Sequence, residues 1–98
     1  MPGNDLQRLH VRLEGRVQGV GFRYFVYDQA QALGVTGWVR NRCDGSVEVT
    51  AEGERSTLDQ FLAVLRRGSR SSKVLDVHLA WKPASGEFTS FQIMPTDG

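Results

Sequence analysis

The run Gly15-Arg16-Val17-Gln18-Gly19-Val20-Gly21-Phe22-Arg23 places three glycines within seven positions and closes on an arginine. Glycine admits positive φ and lets backbone N–H groups approach a ligand closely. Such N–H groups, gathered between a strand and a helix N-terminus, form a concavity that attracts anions. Arg23 adds a planar, permanently charged fork suited to phosphate oxygens. The chemistry predicted for this run is a phosphate cradle.

Other glycine-rich motifs do not fit. From Gly19 the dinucleotide pattern would need a third glycine where Tyr24 stands, and no Gly-Lys-Ser/Thr follows as in a nucleoside-triphosphate loop. Cys43 is the single cysteine, and the arginine that a cysteine phosphatase would require falls at Val49. A nucleophilic Cys43 is therefore not expected. His10 and His78 read as solvent-facing strand residues, and no His or carboxylate cluster stands at ligand spacing, so no metal or cofactor is expected. Arg16, Arg40 and Arg42 could steer anions or simply be solvated, and Trp38 reads as packing.

The elements that must position the cradle follow from periodicity. Leu9, Val11 and Leu13 alternate with His10, Arg12 and Glu14 as a half-buried strand. The glycine-rich turn covers residues 15–21. Residues 22–33 carry Phe22, Val26, Ala30 and Leu33 on one helical stripe, with Gly34 placed to end it. A second strand spans 35–41. Asp44-Gly45 marks a turn into a third strand at 46–52, with Val47, Val49 and Ala51 inward. Ser56 or Thr57 is expected to cap a second helix, with Asp59 completing a capping box. Its stripe is Leu58, Phe61, Leu62 and Leu65, and Gly68 ends it. A fourth strand at 74–81 shows Leu75, Val77, Leu79 and Trp81 on one face. A last strand spans 88–94, with Phe91 and Ile93 apolar.

This order predicts an α+β, ferredoxin-like βαββαβ sandwich: two helices on one face of an antiparallel sheet, plus a short C-terminal strand. The first and second strands then run parallel with the third between them. Their C-terminal ends emerge at one edge, so Asn41 is expected beside the glycine-rich loop.

The 98 residues fit one domain, with 1–6 as a loose tail. Composition is ordinary: 40% apolar, 23% charged, net charge +1. Nothing in that balance suggests a nucleic-acid partner, and no window offers the roughly 18 apolar residues of a membrane span. The N-terminus lacks a secretory pattern. A cytoplasmic monomer is the expectation.

The run 15–23, followed by Gly37-Trp38-Val39-Arg40-Asn41, resembles the acylphosphatases, which hydrolyse the carboxyl–phosphate bond of acyl phosphates. The likeness extends from about Leu9 to Gly53 and thins beyond it: Gly68-Ser69-Arg70 replaces a common Gly-Pro pair, and the 95–98 tail lacks the usual basic or aromatic ending. The resemblance implies that Arg23 and the backbone of Val17, Gln18, Gly19, Val20, Gly21, Phe22 and Arg23 bind the phosphoryl group. It implies that Asn41 orients the attacking water and that the substrate phosphate takes its proton. Two rivals remain. One is a non-catalytic or carbamoyl-phosphate-handling module, like the acylphosphatase-like domain of hydrogenase maturation proteins. The other is an RNA-binding ferredoxin-like domain, which Gly21-Phe22-Arg23-Tyr24-Phe25-Val26 faintly echoes.

Overall fold

The computed structural model describes residues 6–97. In chain order the elements are β1 (Leu6–Arg16), α1 (Phe22–Leu33), β2 (Thr36–Asn41), β3 (Val47–Glu54), α2 (Arg55–Arg67), β4 (Lys73–Pro83) and β5 (Phe91–Ile93). The sheet order is β4-β1-β3-β2-β5. β1 and β2 are both antiparallel to β3, so they run parallel to each other on either side of it. This is the ferredoxin-like arrangement that the sequence predicts. β5 adds to the outer edge of β2 in parallel, over three residue pairs.

One face of the sheet carries the core. Leu9, Val11 and Leu13 of β1 and Val47, Val49 and Ala51 of β3 pack under Phe22, Val26 and Ala30 of α1 and Leu58, Phe61 and Leu65 of α2. Burying each large side chain contributes roughly 1.5–3 kcal/mol. That gain drives both amphipathic helices onto the same face.

The opposite face is less open than strand alternation implies. β3 is the central strand, and its outward residues Glu48, Thr50 and Glu52 are buried as well. Their cover is polar. His10 Nε2 lies 2.6 Å from Glu48, while Arg40 (2.8 Å) and Arg42 (3.0 Å) bond the other oxygen of the same carboxylate. Burial alone would raise the Glu48 carboxyl; the three cationic or imidazole partners together hold it below its ordinary value.

Four local expectations are corrected. Leu6 already pairs with Glu54 in β1 rather than belonging to a tail; residues 1–5 of that tail lie outside the described residues. α2 begins at Arg55 with Glu54 as its N-cap and no side-chain cap, so the Ser56–Asp59 capping box does not form; Asp59 instead bonds Arg55 one turn back. β5 is confined to Phe91–Ile93, and Phe88 lies outside it, with the Arg8 guanidinium 5.0 Å from its ring. On β4, Leu75 is 69% exposed and Val74 packs inward in its place. The cause is a bulge. Glu14 pairs with Asp76 but Gly15 pairs with Val74, so one extra residue, Leu75, is inserted and the side-chain alternation shifts.

Candidate active site

The bulge delivers the glycine-rich loop. Gly15 is still in β1, at φ 130, where a Cβ would sit 2.1 Å from the carbonyl oxygen of Lys73. Only glycine allows β4 to approach this closely. The turn thus starts at Val17, two residues later than the sequence pattern suggests. Val17 is fully buried and Val20 packs at the margin of the core. Between and after them, Gly19 and Gly21 take left-handed backbone at φ 73 and 75.

Gly21 is the N-cap of α1. A serine, threonine or aspartate there would normally occupy one of the orphan N–H groups of the first turn. Here no side chain caps the helix and no acidic residue stands in its first turn. The first hydrogen bond of the helix runs from the Phe25 N–H to the Gly21 carbonyl at 3.1 Å. Among the described residues, none of the N–H groups of residues 17–24 has a hydrogen-bond partner. These donors and the positive end of the helix dipole are therefore left without a protein-borne acceptor among the described residues.

Six of these eight residues, Val17, Gly19, Gly21, Phe22, Arg23 and Tyr24, line a small concavity of about 120 Å³ together with Asn41. At roughly 30 Å³ per water, it has room for about four water-sized groups. Arg23 is half-buried there and pairs with no carboxylate among the described residues. Arg40 and Arg42, by contrast, are tied to Glu48, and Arg40 also reaches Asp97 at 3.0 Å. Their charge is spent on the sheet, which weakens the steering role considered for them. Trp38 lies beneath Arg40, 4.7 Å from its guanidinium carbon.

Asn41 ends β2, and its carbonyl accepts the Asp97 N–H at 3.0 Å. Its side-chain Oδ1 is screened from solvent and has no hydrogen-bond partner among the described residues. An orphaned buried acceptor is costly unless a donor reaches it. A water or ligand in the adjoining concavity is the available kind of donor.

The fold thus gathers Val17, Gly19, Gly21, Phe22, Arg23 and Asn41. Gln18 and Val20 do not line the concavity: Val20 packs inward, and the Gln18 amide points across to the β2–β3 turn. Tyr24 lines it too, beyond the residues that the sequence predicts. It is 66% exposed, and its signal was a large aromatic immediately after Arg23 in the first helical turn.

Other chemistry-bearing groups lie elsewhere. Cys43 is exposed, and its N–H is bonded to the Asp97 carbonyl. Glu14, Asp76 and His78 bring ligand atoms within 4.8 Å of one another, contrary to the expectation of no such cluster. Asp76 and His78 share the outward face of β4, where Glu14 of β1 pairs with Asp76 and reaches His78. Arg12 bonds one Glu14 oxygen. A larger concavity, about 590 Å³, lies at the opposite end of the sheet, where β1 and β2 begin. Its carboxylate, Glu52, is already held by Arg8, the Ser85 N–H and hydroxyl, and the Gly86 N–H. The aromatic RNA-recognition pattern is absent in space, since Phe22 is buried on a helix and stacks near Phe25. No described helix is long and apolar enough to cross a membrane.

Comparison with known proteins gives a consistent answer. The acylphosphatase family model matches residues 9–93. An acylphosphatase of Pelotomaculum thermopropionicum is 45% identical over 86 residues, covering 88% of this chain and 94% of its own. The crystal structure of acylphosphatase from Bacillus subtilis superposes with a TM-score of 0.87 at 40% identity, covering 90% of this chain and 98% of that one. Full-length HypF, in its phosphate- and nucleotide-bound form, matches with a TM-score of 0.85 at 26% identity over 94% of this chain and 12% of its own.

Proposed function

The chain belongs to the acylphosphatase family, and from that premise we propose that it hydrolyses acyl phosphates to a carboxylate and inorganic phosphate, as a single-domain monomer without a metal. The observation that carries this reading is the uncapped α1 N-terminus: among the described residues, the N–H groups of the loop that lines the concavity have no partner, and the adjoining Arg23 pairs with no carboxylate. These donors match a phosphoryl group, whose charge spreads over three equatorial oxygens in the transition state.

In the proposed reaction the phosphoryl group sits on the loop N–H groups and the Arg23 guanidinium. A water held by the Asn41 amide attacks phosphorus. The bond from phosphorus to the acyl oxygen breaks, and its electron pair leaves on a carboxylate. The water proton passes to a phosphoryl oxygen, since asparagine is too weak a base to keep it. A carboxylic acid has a pKa of about 4, so the leaving group departs without a general acid. Among the described residues no carboxylic acid lines the cradle, which suits acyl phosphates and is unfavourable for phosphate monoesters. Positioning and charge stabilisation carry the catalysis.

The test is phosphate release from acetyl, carbamoyl and benzoyl phosphates in EDTA, with a phosphate monoester as control. Turnover of the acyl phosphates alone is expected. Activity lost with chelator, or equal rates on the monoester, sinks the reading. The likeness to HypF keeps carbamoyl phosphate as the principal alternative substrate, and the same panel separates it.

A further inference from the structure

A loop whose N–H groups have no protein partner cannot be held by hydrogen bonds that they donate. Among the described residues, the donors of residues 17–24 are all unpartnered, so side chains must hold the loop. Val17 and Val20 do so from below, by packing. Across the top stands one polar tether. The Gln18 Nε2 donates both of its hydrogens, to the Arg42 carbonyl at 2.7 Å and to the Ser46 carbonyl at 2.7 Å. Those carbonyls frame the β2–β3 turn, where the Arg42 N–H bonds the Ser46 carbonyl and the Gly45 N–H bonds the Arg42 carbonyl. Arg42 directly follows Asn41.

We propose that Gln18 is a positioning residue: its side-chain amide braces the phosphate loop against the β2–β3 turn and so fixes the spacing between the cradle and Asn41. This rests on the reading of the site given above, and it assigns the Gln18 side chain a task separate from its backbone N–H. The two halves of the site belong to different elements, with neither sharing a strand ladder with the other. β3 lies between β1 and β2. Without the amide, the loop keeps its apolar anchors and its N–H groups, so it still binds an anion. The water on Asn41 then no longer sits in line with the phosphorus.

The consequence is a split between binding and turnover. Gln18→Met keeps the length of the side chain but has no donor. Gln18→Asn keeps the amide but is one methylene too short to span both carbonyls, and it is read if the first variant folds poorly. A misplacement of about 1 Å costs up to ~10²-fold in rate. The expected result is a kcat about 10- to 100-fold lower on acetyl phosphate, with the inhibition constant for inorganic phosphate within about threefold of the parent. Amide hydrogen exchange across residues 17–23 should be faster in the variant. A kcat within twofold of the parent overturns the brace, as does a phosphate constant that worsens in step with kcat, since Gln18 would then shape the cradle itself. A parent protein that hydrolyses no acyl phosphate defeats the proposed function instead. The brace is then judged by exchange alone, and loop amides that exchange as in the parent overturn it.

Discussion

Arg23, in the first turn of α1, and Asn41, the last residue of β2, line the same concavity although about eighteen residues separate them in the chain. Arg23 brings charge that no carboxylate among the described residues neutralises. Asn41 brings a screened acceptor without a partner. The two side chains are suited to different components of one reaction.

On the proposed function, Arg23→Lys is expected to raise KM and lower kcat, because a point charge would replace a planar fork assigned to the phosphoryl group in both ground and transition states. Asn41→Ala should leave phosphate affinity nearly intact while kcat falls about 10²–10³-fold, a loss of roughly 3–4 kcal/mol. Steady-state kinetics on both variants, with circular dichroism as a folding control, checks this. A well-folded Asn41→Ala with near-normal kcat would show that the water is held elsewhere.

Inorganic phosphate should compete with substrate and stabilise the native state, because the cradle recognises the anion whatever carries it. At 100 times its dissociation constant the gain is about 2.7 kcal/mol. For a domain of about 100 residues that corresponds to a rise in Tm of roughly 10 °C or more. Noncompetitive inhibition with an unchanged melting curve would place the anion outside this loop.

Gly15 and Gly21 should fail in different ways. At Gly15 a methyl group meets backbone atoms of β4, so Gly15→Ala should disrupt the bulge and lower Tm sharply. At Gly21 a Cβ meets nothing within 4 Å, and only the left-handed backbone is penalised, by about 1–2 kcal/mol. Gly21→Ala should fold, with a modest loss in Tm and a larger loss in kcat. Thermal melts and kinetics on the two variants distinguish these outcomes; equal effects on both properties at both sites would refute the assignment.

Acid stability should depend on Glu52. Burial would raise its carboxyl, but the Ser85 N–H, Arg8, the Gly86 N–H and the Ser85 hydroxyl outweigh this and hold it at about 2, below its ordinary 4.5. A carboxyl lowered in the folded state stabilises fully above its unfolded value, here about 4.5. As the pH falls the unfolded chain takes up its proton first, and the contribution disappears by about pH 2. Glu52→Gln should thus be less stable than the parent at pH 7, with the gap narrowing towards pH 2. Urea melts at pH 7, 4 and 2.5 measure it, and a constant gap would mean that Glu52 does not titrate as described.

The sequence by itself determined the element order, the helix over residues 22–33 and the strand pairing that brings Asn41 to the loop, because hydrophobic periodicity and glycine are local signals with one packing solution. It also marked Arg23 and the loop, since their chemistry lies in residue type and spacing. Only the tertiary structure decided which face Leu75 takes, because a one-residue bulge leaves no trace in composition and yet turns Leu75 outward and Val74 inward, while Val77, Leu79 and Trp81 keep their expected face. The capping box expected at Ser56 also fails, because Arg55 joins the helix and the cap position falls on Glu54, which the local motif does not name. Likewise, the charges of Arg40 and Arg42 read as free in the chain, yet the sheet places Glu48 across from Arg40 and within reach of both. The Gln18 amide meets the β2–β3 turn only once β3 has brought two distant strands alongside it. Contacts between residues far apart in sequence depend on register and burial, and these are fixed only when the sheet closes over its core.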